Sequence, residues 1–169
     1  MAAGSTYTPI ATTTLGSAQT TVTFNSFSGY TDLVCVYSTY STVGVADIVI
    51  QFNGDTGSNY SATILFGDGT SAGSYRQSSQ TQILADYYGS AGTTTGLFNV
   101  AILNVMNYAN TTTYKTILNR PGRAASGTDA VVGLWSSTAA ITSMLLKLGG
   151  SGNQFATGST FTLYGIAAA

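Results

Sequence analysis

The stretch that decides the fold class is Leu97-Phe-Asn-Val-Ala-Ile-Leu-Asn-Val-Met-Asn-Tyr108. Its odd and even positions form two alternating sets, as the two faces of a β-strand do. A turn at residues 107–110 follows, and residues 112–119 are expected to return antiparallel to the first strand. The pair predicts a strand-rich fold in which residues 97–108 form the longest strand.

Similar alternation and turn punctuation run along the whole chain and predict about ten strands. Turns fall every 8 to 12 residues or so, which leaves no room for a helical crossover. We therefore expect an all-β, antiparallel two-sheet sandwich, most simply a jelly roll. The expected strands, including a possible edge strand at the start, cover residues 7–15, 19–25, 31–37, 47–52, 60–66, 83–88, 97–108, 112–119, 130–135, 141–148 and 160–166.

The chain is expected to contain one domain. Residues 1–15 are Thr-rich and read as an extended N-terminal arm or an edge strand, and residues 16–169 as a single β-sandwich. Residues 53–59 predict a hairpin with a long loop. The polar segments 71–81 and 120–129 are expected to be loops.

The composition is polar but almost without charge. Charged residues make up 7% of the 169 residues, against about 25% in an average protein. The chain contains 28 Thr and 19 Ser but neither Glu nor His. Missing Glu and scarce Lys argue against helical bundles, and missing His excludes imidazole catalysis and His-bearing zinc sites.

These counts also bear on partners and compartment. A net charge of -1 with five basic residues argues against a nucleic-acid partner. The apolar runs are too short to span a bilayer, so no membrane partner is expected. Residues 1–7 lack the pattern of a signal peptide, so synthesis in a cytoplasm is expected. Nothing in the sequence calls for a cofactor.

Two single-copy residues are expected in the core. Cys35 lies in an apolar strand pattern without a nearby His or Lys, which predicts a buried, unreactive thiol. Trp135 is interpreted as a core residue rather than a sugar-stacking platform.

The six Asp residues offer little acid–base chemistry. Asp55 and Asp68 stand in Gly-containing turns, where turn geometry explains them. The oxygen-bearing residues of 53–59 are spaced as in a calcium loop but lack its closing Glu, so a structural turn is preferred. Asp47 and Asp86 adjoin strands, but without a Glu or His partner a catalytic pair is disfavoured.

The densest positive charge lies at Lys115, Arg120 and Arg123, which we predict to cluster around one loop. Arg suits interface carboxylates, so this loop is a candidate docking point for an acidic partner, the alternative being a solvated loop. Within the N-terminal arm, Tyr7, Pro9 and Ile10 are candidate contacts with a neighbouring subunit.

Three further stretches carry a resemblance to a known class of protein. The first is Phe52-Asn-Gly-Asp-Thr-Gly-Ser-Asn-Tyr60, and the second is Val105-Met-Asn-Tyr-Ala-Asn-Thr-Thr-Thr-Tyr-Lys-Thr116. The third runs from Val132-Gly-Leu-Trp-Ser-Ser-Thr-Ala-Ala-Ile141 into Phe155-Ala-Thr-Gly-Ser-Thr-Phe-Thr-Leu-Tyr-Gly-Ile166. In order and spacing they resemble small jelly-roll virion proteins of tailed bacteriophages, of the marine and cyanobacterial type.

The resemblance implies a non-enzymatic structural protein of the virion, made in the host cytoplasm. It implies contact with the major capsid protein or another virion protein and, from similar jelly rolls at quasi-threefold capsid positions, a homotrimer. A capsid decoration or cement protein is the preferred role. A head- or tail-fibre module that binds a host glycan remains an alternative, and a carbohydrate-binding module is a third. No functional residue is carried over from the resemblance.

Overall fold

Antiparallel strands form two sheets that pack face to face in the computed structural model, which describes residues 6–93 and 96–167. Twelve strands occur in that part of the chain, and no helix. The expected all-β sandwich is thus confirmed. The strands are β1 Tyr7–Thr14, β2 Thr21–Asn25, β3 Asp32–Thr39, β4 Ile48–Phe52, β5 Tyr60–Gly67, β6 Ala72–Gln80, β7 Ile83–Leu84, β8 Asn99–Val105, β9 Lys115–Arg123, β10 Gly127–Trp135, β11 Ser143–Leu148 and β12 Thr160–Ile166.

The two sheets differ in size. The large sheet has eight strands in the order β1-β12-β3-β8-β9-β10-β5-β6, and the small sheet has four in the order β2-β11-β4-β7. Every strand pairing is antiparallel. The small sheet can therefore cover only part of the inner face of the large one.

The strand order is jelly-roll-like. From β2 to β7 the chain alternates between the sheets as a jelly roll does, with β5 and β6 adjacent, and β10 and β11 return to complete the two sheets. The β8–β9 hairpin is inserted between β3 and β10, and β12 and β1 extend the large sheet beyond β3. These additions make the large sheet twice as wide as its partner.

Alternation places the core between the sheets. In β8 the buried positions are Asn99, Ala101, Leu103 and Val105, and the residues between them face outward. β4 is buried along its whole length. The largest buried apolar side chains lie between the sheets: Tyr37, Tyr60, Phe52, Phe155, Phe161, Leu33, Ile48, Ile50, Ile64, Ile83 and Leu103.

The N-terminal segment belongs to the large sheet over most of its length. Residues 7–14 form its edge strand β1 and pair with β12, with a register shift between Pro9 and Ala11. Residues 1–5, the rest of the expected arm, lie outside the described part of the chain. A proline and a bulge at the edge both hinder pairing with another chain.

Both expected core residues are buried. Cys35 is fully buried in β3, between β12 and β8, and burial raises the pKa of its thiol to about 12. Trp135 ends β10 at 2% exposure and stacks on Tyr60. Its indole Nε1 donates to Asp55 Oδ2 over 2.7 Å, which satisfies the polar end of the buried ring.

Two expected loops are wrong. Residues 72–80 form the edge strand β6, which pairs with β5 through its backbone. Because almost every side chain of β6 faces solvent, no apolar alternation marks it as a strand. Residues 120–129 lie mostly in β9 and β10, joined by a short turn in which the Ser126 amide donates to the Arg123 carbonyl.

Other boundaries also differ from expectation. Residues 53–59 do not close a hairpin, because they connect β4 in the small sheet to β5 in the large sheet. β7 spans two residues rather than six, and β8 spans seven, shorter than the nine of β6, β9 and β10. The described residues contain no helix with the length and apolarity needed to cross a membrane.

Close packing of the two sheets makes Gly133 a sensitive position. A Cβ atom on Gly133 of β10 would lie 2.6 Å from Ile83 Cγ2 and 2.7 Å from Ile117 Cγ1. We predict that Gly133→Ala lowers the free energy of unfolding by roughly 1–3 kcal/mol through overpacking. Urea unfolding followed by Trp135 fluorescence measures this. Gly16→Ala is the control, since nothing lies within 4 Å of that Cβ; equal effects of the two changes would contradict the prediction.

Candidate functional site

The outer face of the large sheet is unusually apolar. Residues that alternate with the buried core positions point away from the small sheet and lie in the solvent. Across β3, β8, β9, β10 and β5 many of these positions carry aliphatic side chains. The large apolar residues there that are at least 40% exposed are Val36, Leu65, Val100, Ile102, Leu118 and Val132, and Met106, directly after β8, is exposed to the same degree.

Strand register brings these side chains together. Val36 lies opposite Ile102 between β3 and β8, and Leu118 lies opposite Val132 between β9 and β10. Directly opposite residues of an antiparallel pair share one face of the sheet. Their combined exposed area is on the order of 600 Å², at the upper limit for the largest apolar patch of a monomeric protein. We call this set of seven residues the outer apolar face.

A shallow groove of about 720 Å³ crosses the outer apolar face. Leu65, Leu118, Val132 and Met106 supply most of its apolar lining, and Thr63 adds polar atoms at its wall. The groove is open to solvent along the sheet. Its lining is mostly apolar, which suits the apolar side chains of a ligand or partner.

Two exposed arginines lie on the same face. Arg120 in β9 stands opposite Ile102, and Arg76 in the edge strand β6 stands opposite Thr63. Both side chains are exposed, and neither has an ion-pair or hydrogen-bond partner among the described residues. The face therefore combines aliphatic area with unpaired positive charge.

The predicted cluster of Lys115, Arg120 and Arg123 does not form, because all three lie in β9 and side chains along a strand alternate in direction. Lys115 points inward and is fully buried, where its Nζ donates to the carbonyls of Thr113 at 2.8 Å and Thr138 at 3.3 Å. Burial lowers the pKa of Lys115. Lys115 is thus a structural residue in this fold, and Arg120 alone of the three is exposed rather than buried or partly buried.

Arg123 is only partly exposed. Its guanidinium lies against Gly92, where a side chain would have no room, and its Nε is buried without a hydrogen-bond partner. It covers the connection between β7 and β8 rather than extending into the solvent.

The candidate arm contacts all lie in β1. Tyr7 is 54% exposed and packs edge-on against Tyr164 of β12 at 6.1 Å. Pro9 is exposed, and Ile10 is partly buried against the core. The three residues are thus already engaged in the edge of their own sheet, and a contact with a neighbouring subunit stays a prediction.

Two of the carboxylates serve turns, as expected. Asp55 accepts hydrogen bonds from Trp135, Asn59 and the Gly57 amide, and these bonds lower its pKa. Asp68 accepts from the amides and hydroxyls of Ser71 and Thr70, which lower its pKa to about 2. Turn geometry therefore accounts for the segment 53–59 that resembles a calcium loop.

Three other carboxylates surround the segment that follows β7. Asp129 accepts from the backbone amides of Tyr87, Tyr88 and Gly89, and Asp47 accepts from the Ser90 hydroxyl. Asp86 is fully buried and accepts from the Ile48 amide at 2.7 Å and from Asn99 at 3.4 Å. These hydrogen bonds hold the segment that follows β7 in place at one end of the core.

Burial dominates the protonation of two of these carboxylates, Asp86 and Asp47. It raises the pKa of Asp86 well above the ordinary 3.8; the hydrogen bond from Ile48 opposes the shift, and the nearby charges of Asp47 and Asp129 add to it. Burial likewise raises the pKa of Asp47. Within the described residues no set of three His, Cys, Asp or Glu is placed to hold a metal ion. We therefore interpret the three carboxylates as structural residues that hold this segment in place.

Aromatic residues form a second exposed surface beside β6. Tyr75 and Tyr87 are stacked with ring centroids 5.3 Å apart and are 41% and 40% exposed. Phe66 and Tyr88 support them from below, with ring centroids 4.7 Å apart. Exposed rings of this kind can stack on the apolar faces of sugars.

Sequence reasoning missed the outer apolar face, although the signal was present. The strand 97–108 carries apolar residues at both parities, as does the stretch 31–37. In a two-layer sandwich one face of each strand meets solvent, so two-sided apolarity indicates a covered outer face. A central position in the sheet explains the apolar residues on the inner side alone.

Comparison of the chain with known proteins finds no matching family model, no matching curated protein and no matching solved structure.

The buried carboxylate predicts a pH dependence. Because the pKa of Asp86 is raised, the folded state holds its proton more tightly than the unfolded chain does. Its stabilising contribution is complete below the ordinary pKa of 3.8 and is lost as pH rises through the raised value. Asp47 acts with the same sign. We predict that the free energy of unfolding falls as pH rises above 3.8, where the unfolded chain has lost these protons and the folded state still holds them.

Asp86→Asn tests this cause. Asparagine keeps an oxygen for the Ile48 amide, and a flip of the Asn99 amide lets the new amino group donate to Asn99 Oδ1, which lacks a partner in the parent. We expect the variant to be more stable than the parent at pH 8 by roughly 1–3 kcal/mol, with a flatter pH profile in urea unfolding. Asp129→Asn, which sets an amino group against backbone donors, should destabilise; a similar loss in both variants would overturn the assignment.

Proposed function

We propose that this protein is a non-enzymatic structural protein of a tailed-phage virion, most simply a decoration or cement protein that binds and stabilises the assembled capsid shell. The observation that carries the proposal is the outer apolar face of the large sheet. It lies on the side of the sheet that the protein's own core does not use. The resemblance of three stretches to small virion jelly rolls supplies the biological setting.

The size of the outer apolar face suits a permanent contact. A stable protein interface buries roughly 800 Å² on each partner. The aliphatic area of about 600 Å² supplies an interface core, and the surrounding Thr, Ser and Asn side chains supply a polar rim. Burial of this area gives a driving force that depends little on salt, as a cement protein needs.

The rest of the surface supports the same role. Thr and Ser have few rotatable bonds, so ordering them at an interface costs less entropy than ordering Lys or Glu. With 47 Thr and Ser and no Glu, the chain presents a surface of this kind. We propose that it assembles in the host cytoplasm and functions in the virion.

The proposed oligomer is a homotrimer, as in similar jelly rolls at quasi-threefold capsid positions. It does not require the outer apolar face, which stays available to the shell. Light-scattering mass measurement at micromolar concentration tests it, and a monomer there would count against it.

The shell contact is tested by a change at the most exposed residue of the outer apolar face. We predict that Leu65→Asp weakens binding to shells of the encoding phage that lack this protein by at least about tenfold, since a carboxylate would be buried against apolar surface. Val45→Asp is the matched control. Leu65 is 61% and Val45 63% exposed, and Val45 lies in the connection between β3 and β4, outside the face.

Co-sedimentation with the shells gives the affinity, and thermal unfolding shows that each variant remains folded. Equal binding by both variants would remove the outer apolar face from the contact. Failure of the unaltered protein to bind shells, together with its absence from purified virions, would overturn the proposed function.

A fibre or appendage module that binds a host glycan is the second candidate function, and the exposed Tyr75–Tyr87 stack favours it. If this function holds, glycan-array binding by the unaltered protein should be lost in Tyr75→Ala. Tyr114→Ala is the control, since Tyr114 is 57% exposed and lies outside the stack. Such binding would also suit a carbohydrate-binding module, and electron microscopy of virions distinguishes the two.

A further inference from the structure

We infer that the outer apolar face takes a heterologous protein partner whose contact surface joins apolar side chains to at least one carboxylate, and that Arg120 binds that carboxylate. The inference deepens the proposed function, on which it rests for the partner's identity as a shell protein. The chemistry of the partner surface follows from this chain's own charges.

All of the protein's side-chain carboxylates are already engaged within its own fold. The chain contains no Glu, and each of its six Asp residues accepts at least one internal hydrogen bond. Five of these arrangements are described above, and in the sixth Asp32 accepts from the Asn107 amide over 2.6 Å. The net charge of -1 therefore conceals an uneven distribution, in which carboxylates hold turns and connections together.

The two exposed arginines of the large sheet, in contrast to the carboxylates, have no partner in the part of the chain that the structure describes. Arg120 and Arg76 are exposed and have no partner among the described residues. Register places Arg120 in β9 opposite Ile102, inside the outer apolar face, where it also lines the groove. Arg76 lies in edge strand β6 in the row of Thr63 and Val132. The outer apolar face thus holds one unpaired positive charge near its centre and a second at its β6 edge.

This charge pattern decides between a second copy of the chain and a different protein. The apolar area would suffice for a homodimer. Neither the outer apolar face nor the groove lining contains a carboxylate, so two copies stacked on this face would bury their Arg120 side chains against apolar residues. Burying an unpaired charge is strongly unfavourable, so the face disfavours its own copy.

A partner with a carboxylate beside apolar residues satisfies every group on the face. Its apolar side chains fill the groove between Leu65, Leu118 and Val132. Its carboxylate forms two parallel hydrogen bonds with the Arg120 guanidinium. The planar guanidinium matches a carboxylate in this geometry, and a lysine ammonium does not. Specificity then comes from charge, and most of the affinity from apolar burial.

The test uses two short synthetic peptides that alternate leucine with aspartate or with lysine. Methyl NMR spectra of the full chain follow Leu65, Leu118 and Val132 during each titration. We expect the Asp peptide to shift these methyl signals and to bind at least about tenfold more tightly than the Lys peptide. In Arg120→Glu the order of the two peptides should reverse, and in Arg120→Lys the preference should weaken.

Lys147→Glu is the matched control. Lys147 lies partly exposed in β11 of the small sheet, so the same charge change there should leave the preference intact. Equal binding of both peptides, or the same effect from Lys147→Glu as from Arg120→Glu, would overturn the inference. Sedimentation showing a dimer that Leu118→Asp dissociates would also overturn it, by assigning the face to a second copy.

Shell binding separates this inference from the proposed function. Arg120→Glu should bind the shells at least about tenfold more weakly than the parent and than Lys147→Glu. Shells that bind all three equally would overturn the inference and leave the proposed function standing. Shells that bind none, with the peptide preference intact, would overturn the proposed function and leave the chemistry of the face standing.

Discussion

Eight strands share one sheet, and only four strands cover it. This mismatch in width is the constraint on which the rest of the structure depends. The small sheet seals the apolar middle, so the ends of the large sheet need cover from connecting segments, whose backbone amides and carbonyls require partners. At one end, Asp129 supplies them by accepting three successive amides between β7 and β8, and Asp86 holds the Ile48 amide of β4. The buried carboxylates are thus a consequence of the topology.

The sheet and its patterning were largely predictable from sequence, since a buried inner face imposes alternation that local residues display. Edge strand β6 was not, because both of its faces meet solvent and its strand character comes from pairing with β5. The end of β9 and the start of β10 failed for a similar reason: Pro121 and Gly122 favour turns locally, but cross-strand bonds outweigh that preference. The outer apolar face could not be predicted without the strand register. The register places Val132 beside Leu118 on neighbouring strands, and the sequence alone does not show which residues of two strands lie opposite each other.

Charge follows a division that composition alone conceals. Few charged residues and a net charge near zero suggest a bland surface. The structure separates the two signs: carboxylates hold turns and connections, and Arg76 and Arg120 remain on an aliphatic face. A surface with so few charges can still discriminate among partners, because each arginine that is buried in a contact needs a carboxylate on the partner. The basic loop expected from sequence does not exist: Lys115 is buried, Arg123 lies against the connection between β7 and β8, and Arg120 is exposed.

The position of Cys35 has a practical consequence. Its thiol lies in the central strand β3, flanked by β12 and β8, with no exposed surface. Reagents that modify thiols reach it when those strands separate, which is an opening of the whole sandwich rather than fraying of an edge. Cys35 is therefore a built-in reporter of global opening. The rate at which its thiol is modified under native conditions reports how often the core opens, and no probe has to be introduced.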